Sequence, residues 1–347
     1  MVRRGHRRGG DGRKEGRVSA LLRNREAALA AIILAMVAAI GAYAPAFVSI
    51  ANIVRVLNDT SILAMLALAQ MMVILTRGID LSTASALALA GMISASLAQH
   101  QPDLPVIAYI GLAIAVGILL GLINGGLIAF LGIPPIVVTL GTLAVYRGMI
   151  VVYGGGNQVN ASEMGDTFQS FPKLTLLGFS TLFWIMLAVS LAIWLFLTMT
   201  RTGRGLYAVG GNPVAARYCG IDLSRQQLLV YTVAGAISGL CGYLWVSRYG
   251  VAYSEIASGY ELTVIAACVI GGVSIAGGVG TVAGTLLGAL FLGVIVNALP
   301  VMQVTPFWQM AISGAVILGA VVVNARAEKR GVKLILPEAR RAAGAAK

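Results

Sequence analysis

From residue 27 to residue 324 the chain is cut into apolar runs of about 17–25 residues, and nothing else in it narrows the possible folds so far. A helix of that length crosses the hydrocarbon core of a bilayer, where every backbone polar group must find its partner inside the protein. Composition agrees. Charged residues make up 11% of the chain and hydrophobic ones 58%, whereas soluble domains carry about 25% charged residues. The 43 glycines are excessive for soluble helices but suit membrane helices that pack backbone to backbone. The expected fold is all-α: a polytopic membrane helix bundle of about ten spans, at 27–44, 60–76, 83–98, 106–130, 135–153, 176–198, 226–247, 259–275, 281–298 and 307–324. The third and eighth runs are short, which leaves them open to being tilted, broken or re-entrant.

Basic residues set the expected orientation. With the N-terminus in the cytoplasm and each run crossing once, the inner side collects nine Lys/Arg from residues 1–25, Arg77, four from 199–225 and seven from 325–347. That is 21 of 25; Arg55, Arg147, Lys173 and Arg248 remain outside or near the outer face. Both termini are then cytoplasmic, with a basic tail at 1–26, a membrane domain over 27–324 and a second basic tail at 325–347. The formal charge of +12 therefore speaks for topology and for contact with anionic lipid, and nucleic acid is not an expected partner. Arg3, Arg4, Arg7 and Arg8 followed by an apolar run ending Ala42-Tyr43-Ala44 have the look of a signal peptide. Pro45 stands directly after that cleavage pattern, which a signal peptidase tolerates poorly, so an uncleaved first helix is expected.

The chemistry that is missing excludes whole classes. Cys219, Cys241 and Cys268 share no short spacing, and the two histidines, His6 and His100, fall on opposite sides of the membrane in this topology. Neither a metal site nor a Ser-His-Asp triad is expected. No P-loop is present, so ATP hydrolysis is not expected in this chain, and no cofactor is. The glycine-rich stretch 271–280 reads instead as a hinge. Asp80, Glu261 and Arg147 all fall near span ends, unlike the mid-membrane ionisable groups of ion-coupled carriers. Arg147 is expected to snorkel outward. Gln70, Asn124, Asn297 and Gln309 are the intramembrane polar residues, each either a helix–helix hydrogen bond or part of a polar path. Gln70, Asp80, Asn124 and Asn297 are the candidates for a translocation path. Glycines at every fourth position (Gly117, Gly121, Gly125; Gly235, Gly239; Gly280, Gly284, Gly288) mark close helix-packing faces.

The loop 199–225 carries a rigid insertion. Asn212 suits a helix N-cap, Pro213 the first helical position and Gly220 a C-terminal stop. A surface helix is expected over 213–219, too short to be stable in water unless it docks on something. Upstream, the letters GIDLS at 78–82 return at 220–224. In both copies Gly can end a helix and Asp or Ser can cap the next, so one structural device used twice is expected. If the second and third spans are half-helices, the first copy is instead a break inside the membrane.

This loop resembles the coupling loop of permease subunits of ABC importers, whose pattern is E-A-A, three residues, then G. Ala215, Ala216 and Gly220 stand at the matching spacing. The flanking TGRGLYAVGGN, the upstream RGIDLS and the downstream GGVSIAGGVGTVAGTLLGA are similar to the sugar branch of that family, the ribose/rhamnose/autoinducer-2 type, over most of residues 50–325. Two positions depart: Val214 replaces the pattern's Glu, and Arg77 precedes Gly78 where the family commonly has a second Gly.

The resemblance implies a bacterial inner-membrane permease that takes a sugar or sugar-like solute from periplasm to cytoplasm. Its partners would be cytoplasmic ATP-binding subunits, a periplasmic substrate-binding protein and a second permease subunit, alike or different. Asn212, Pro213, Ala215, Ala216, Arg217 and Gly220 would form the ATPase-coupling element, its small residues, Ala216 among them, against an ATPase groove. A stand-alone secondary carrier or channel and a permease for branched-chain amino acids are the competing readings.

Overall fold

The computed structural model describes residues 25–305 and separate positions between 307 and 322. Most of the N-terminal tail, much of the tenth expected span and the whole C-terminal tail lie outside the described residues. Those described form helices α1 (Arg25–Tyr43), α2 (Ile50–Leu75), α3 (Thr83–His100), α4 (Val106–Ala129), α5 (Pro135–Gly154), α6 (Asp166–Ser170) and α7 (Thr181–Met199). Then follow α8 (Arg201–Gly211), α9 (Pro213–Tyr218), α10 (Leu223–Tyr249), α11 (Tyr260–Ile270) and α12 (Val282–Val301). Two antiparallel ribbons of two residues per strand pair β1 (Val159–Asn160) with β4 (Val251–Ala252) and β2 (Thr175–Leu176) with β3 (Phe179–Ser180).

Seven helices among the described residues, α1, α2, α4, α5, α7, α10 and α12, are long and apolar enough to cross a membrane. α3 has the length, at 18 residues, but carries Ser85, Ser94, Ser96 and Gln99 and is almost wholly buried. The eighth expected run departs further. α11 has 11 residues and rises about 16 Å, roughly half the thickness of a hydrocarbon core. Gly259 starts it at φ 76°, and Gly271 and Gly272, the latter at φ 88°, stop it. Flanked by non-helical chain, it is a half-length helix, and only together with those flanks does the run pass from the Arg147 contacts at Ser254 and Ile256 to the Leu75 contact at Gly278.

α2 lies at the centre. Every residue from Thr60 to Leu75 is buried, the pattern of a helix surrounded on all sides. α4 and α10 form the tightest pair, and their glycines are the reason. A Cβ at Gly117 would stand 2.1 Å from the Gly235 carbonyl oxygen, and one at Gly239 would stand 2.1 Å from that of Ala113. The expected packing face on these two helices is thus a backbone-to-backbone contact. Gly284 and Gly288 of α12 do the same against Gly271 and Ala267, while Gly280 precedes that helix.

The two ends of the bundle differ. The end holding α8 and α9 is called here the near face, and the end holding residues 155–180 the far face. At the far face Phe168 packs edge-on between Tyr109 and Tyr243, with ring centroids 5.3 and 5.0 Å away, and the β1–β4 ribbon ties 159–160 to 251–252. Arg147 also serves this end, though not by snorkelling into water. Its Nη1 donates to the carbonyls of Ser254 and Ile256, each at 2.8 Å, and pins the segment that leads into α11. Arg248 pairs with Asp59 and donates to the Asn58 carbonyl, joining α10 to α2.

Candidate functional site

α2 stops inside the bundle. The Arg77 N–H bonds to the Ile74 carbonyl at 2.9 Å and the Gly78 N–H reaches back to Val73 at 3.1 Å, a Schellman stop with Arg77 at φ 66° in the left-handed position. The chain then crosses 78–82 before α3 begins. This turn is deeply buried: Asp80 is 5% exposed and Ser82 1%.

Buried polar groups need partners, and polar side chains from α2, α4 and α5 stand around the turn. Asp80 Oδ1 accepts from the Ser82 backbone N–H at 2.8 Å and from its hydroxyl at 2.6 Å. Asn124 Nδ2, on α4, donates to Ser82 Oγ at 2.8 Å, and the Tyr146 hydroxyl of α5, which donates to the Leu120 carbonyl at 2.9 Å, lies 3.3 Å from Asn124 Oδ1. Thr139 Oγ1, also on α5, stands 3.1 Å from the Ile79 carbonyl and 2.9 Å from the Pro135 carbonyl of its own helix, and its single proton serves one or the other. With its amide turned to suit its neighbours, Gln70 of α2 bonds both the carbonyl and the N–H of Asp80, at 3.2 and 3.1 Å. Tyr231 of α10 closes the cluster: a Cβ on Gly78 would stand 2.6 Å from its hydroxyl, which has no partner among the described residues.

Three of the four candidate path residues, Gln70, Asp80 and Asn124, therefore meet around one turn. Asn297 does not join them. Its Nδ2 donates to Gly293, one turn back on α12, at 2.9 Å. Gln309 likewise bonds locally, to the Val304 carbonyl at 2.7 Å. Ser82, Thr139, Tyr146 and Tyr231 belong to the cluster and were not singled out from the sequence. Only Ser82 left a signal there, as the last letter of the repeated GIDLS. No salt bridge reaches Asp80 among the described residues, and none of their His, Cys, Asp and Glu side chains group in threes to hold a metal.

The second feature lies on the near face. Asn212 caps α9 by accepting from the N–H groups of Val214 and Ala215, at 3.1 and 3.0 Å, and Pro213 takes the first helical position. Gly220, at φ 79°, ends it with the Ile221 N–H bonded back to Ala216 at 3.0 Å. The helix spans 213–218, one residue shorter than expected. Ala216 is 4% exposed and packs inward, so its side chain is not among those that α9 presents outward. The free face holds Val214, 66% exposed, and Tyr218, 88% exposed, four residues apart and hence side by side. Ala215 and Arg217 are exposed as well.

The two GIDLS copies can now be compared. Both follow a Schellman stop, but Gly220 itself takes the left-handed position in the second, whereas Arg77 takes it in the first. Asp222 caps α10 by accepting from the Arg225 N–H at 3.1 Å and is exposed; Asp80 turns inward to Ser82 and is buried. One device is used twice, shifted by a residue and placed in opposite surroundings.

Known proteins align with most of the chain. The model of the family described as "Branched-chain amino acid transport system / permease component" matches residues 52–321. The ribose import permease protein RbsC of Escherichia coli (strain K12) is 38% identical over 294 residues, covering 84% of this chain and 91% of that protein. The autoinducer 2 import system permease protein LsrC of Klebsiella pneumoniae subsp. pneumoniae is 35% identical over 306 residues, 88% of each chain. The galactose/methyl galactoside import permease protein MglC of Escherichia coli (strain K12) is 34% identical over 316 residues, 86% of this chain and 94% of that one. No solved structure matches the chain. Seven apolar helices and permease relatives of near-equal length make this a multi-pass membrane protein. The chain belongs to the permease-component family whose model spans residues 52–321.

Proposed function

We propose that this chain is the membrane subunit of an ATP-driven ABC importer that carries a sugar or sugar-like solute across the bacterial inner membrane into the cytoplasm. The observation that carries the reading is its likeness to import permeases named for ribose, autoinducer 2 and galactose, each at 34–38% identity over most of both chains. ATP hydrolysis falls to separate subunits on the near face, a binding protein delivers solute to the far face, and a second permease subunit completes the path. Facts from both faces support this arrangement. The far face has a cleft of about 480 Å³ lined by Gln99, His100, Asn157, Asn160 and Glu163, groups of the kind that bond sugar hydroxyls. The near face has a capped helix with a valine and a tyrosine pointing away from the chain.

Orientation follows from charge: the near face is cytoplasmic. Reporter fusions after residues 165 and 250 are expected to read periplasmic and those after 210 and 340 cytoplasmic. A cytoplasmic signal at 165 removes this arrangement.

The docking reading has its own test. Burying a valine or tyrosine side chain contributes about 1.5–3 kcal/mol each, and interface anchors are enriched in Tyr. The double variant Val214→Ser/Tyr218→Ala is expected to insert normally yet lose at least about 100-fold in affinity for the ATPase subunit, the sum of two such contributions. Co-purification and solute uptake at wild-type levels would reduce α9 to a connector.

A further inference from the structure

We propose that Arg77 is a positioning residue that ties the docking helix to the buried turn, so that a movement of α9 reaches the Asp80 cluster. The inference rests on the reading of α9 as the place where the ATPase subunit docks. Arg77 Nε donates to the Gly210 carbonyl at 2.7 Å and Nη2 to that of Gly211 at 3.0 Å. These are the last two residues of α8, and Asn212, the cap of α9, follows them directly. The final carbonyls of a helix lack intrahelical partners and form the negative end of its dipole, so a guanidinium fork suits them in both charge and geometry. On its other side Arg77 is bonded through Gly78 and Ile79 to Asp80. Only three peptide links separate the clamp from the polar cluster.

The joint is stiff because little but backbone fills it. A Cβ at Gly210 would stand 1.7 Å from the Leu75 carbonyl oxygen and 2.4 Å from the Gly278 nitrogen. The Gly278 N–H donates to that same Leu75 carbonyl at 3.0 Å, and the Tyr207 hydroxyl of α8 donates to the Gly280 carbonyl at 3.1 Å. The glycine-rich segment 271–280, expected from sequence to be a hinge, is thus clamped between α8 and the end of α2. The backbone of Arg77 adds a second argument. It sits at φ 66°, where glycine rests without strain and other residues do not. A side chain kept at such a position needs a compensating contact, and the two carbonyls of α8 provide one. Tyr231, whose hydroxyl beside Gly78 has no partner among the described residues, gives the turn a reason to have a second arrangement.

Arg77→Gly removes the clamp and relieves the backbone strain together. In proteoliposomes holding the permease with its ATPase and binding protein, this variant is expected to keep its thermal stability and its bound ATPase. The ratio of solute moved to ATP hydrolysed should fall about tenfold, within the usual range of coupling between sites. Arg77→Lys keeps the charge without the fork and should fall between. A wild-type ratio in Arg77→Gly, while Val214→Ser/Tyr218→Ala loses its ATPase, overturns the clamp and leaves the docking face standing. Wild-type behaviour of that double variant overturns both. Failure of Arg77→Gly to assemble, with Arg77→Lys at a wild-type ratio, would make Arg77 a folding residue and also overturn the proposal.

Discussion

Gly235→Leu is expected to leave almost no folded protein recoverable from membranes. A Cβ there would lie 2.2 Å from the Gly117 carbonyl oxygen and 2.8 Å from the Gly121 Cα, and backbone cannot swing aside as a side-chain tip can. Relief requires α4 and α10 to separate by more than 1 Å, roughly the gap to an ordinary contact at 3.5–4 Å. That movement also loosens the contacts at Gly121 and Gly239 along the same stripe. Overpacking alone costs about 1–3 kcal/mol, and lost contacts along a whole helix pair add to it, against a total stability of about 5–15 kcal/mol. Gly126 is the control. It stands on α4 beside the stripe and has nothing within 4 Å of its would-be Cβ, so Gly126→Leu should express and melt like the wild type. Equal yield and melting temperature for the two leucine variants would mean that α4 and α10 do not cross at these glycines.

That contact was readable before any coordinates, because small residues four apart share one helix face and membrane helices associate through such faces. Apolar run length likewise places α4, α5 and α12 to within a few residues. Where the sequence misleads, it is silent about neighbours. The run 259–275 is mostly apolar, but Gly259, Gly271 and Gly272 cut it to a half-length helix. Hydropathy does not register a helix stop. Arg147 looked like a snorkelling residue because its acceptors, the carbonyls of Ser254 and Ile256, are backbone atoms a hundred residues away. Ala216 matched a family spacing, yet which side of a two-turn helix faces inward depends on α8 and α10. Gln70, Asp80 and Asn124 were visible as polar residues in apolar surroundings. Their meeting point was not, since two separate helices and a turn must pack before it exists. Tyr146 and Tyr231 gave no warning at all, because a tyrosine in a span reads the same at a lipid interface as in a buried cluster.

The meeting point itself sets the last expectation, which concerns Asp80. Asp80→Ala removes the acceptor of two buried donors, the Ser82 N–H and its hydroxyl. An orphaned buried donor costs about 1–3 kcal/mol, so the loss should total roughly 2–6 kcal/mol and show as a clear drop in melting temperature. The hydroxyl of Ser82 also accepts from Asn124, so the loss spreads from the turn into α4. Gln70 bonds only the backbone of Asp80 and is untouched by the change. Asp80→Asn keeps an oxygen where both donors point. No cation pairs with the carboxylate among the described residues, and a buried charge without a counter-charge is costly, so the neutral amide should match or exceed the wild type in stability. The expected order of melting temperatures is therefore Asn at or above Asp, with Ala well below. Ala and Asn melting alike would show that these two hydrogen bonds do not hold the turn. If Asp80→Asn folds normally but no longer carries solute, the hydrogen bonds are not enough, and the negative charge itself belongs to the translocation path.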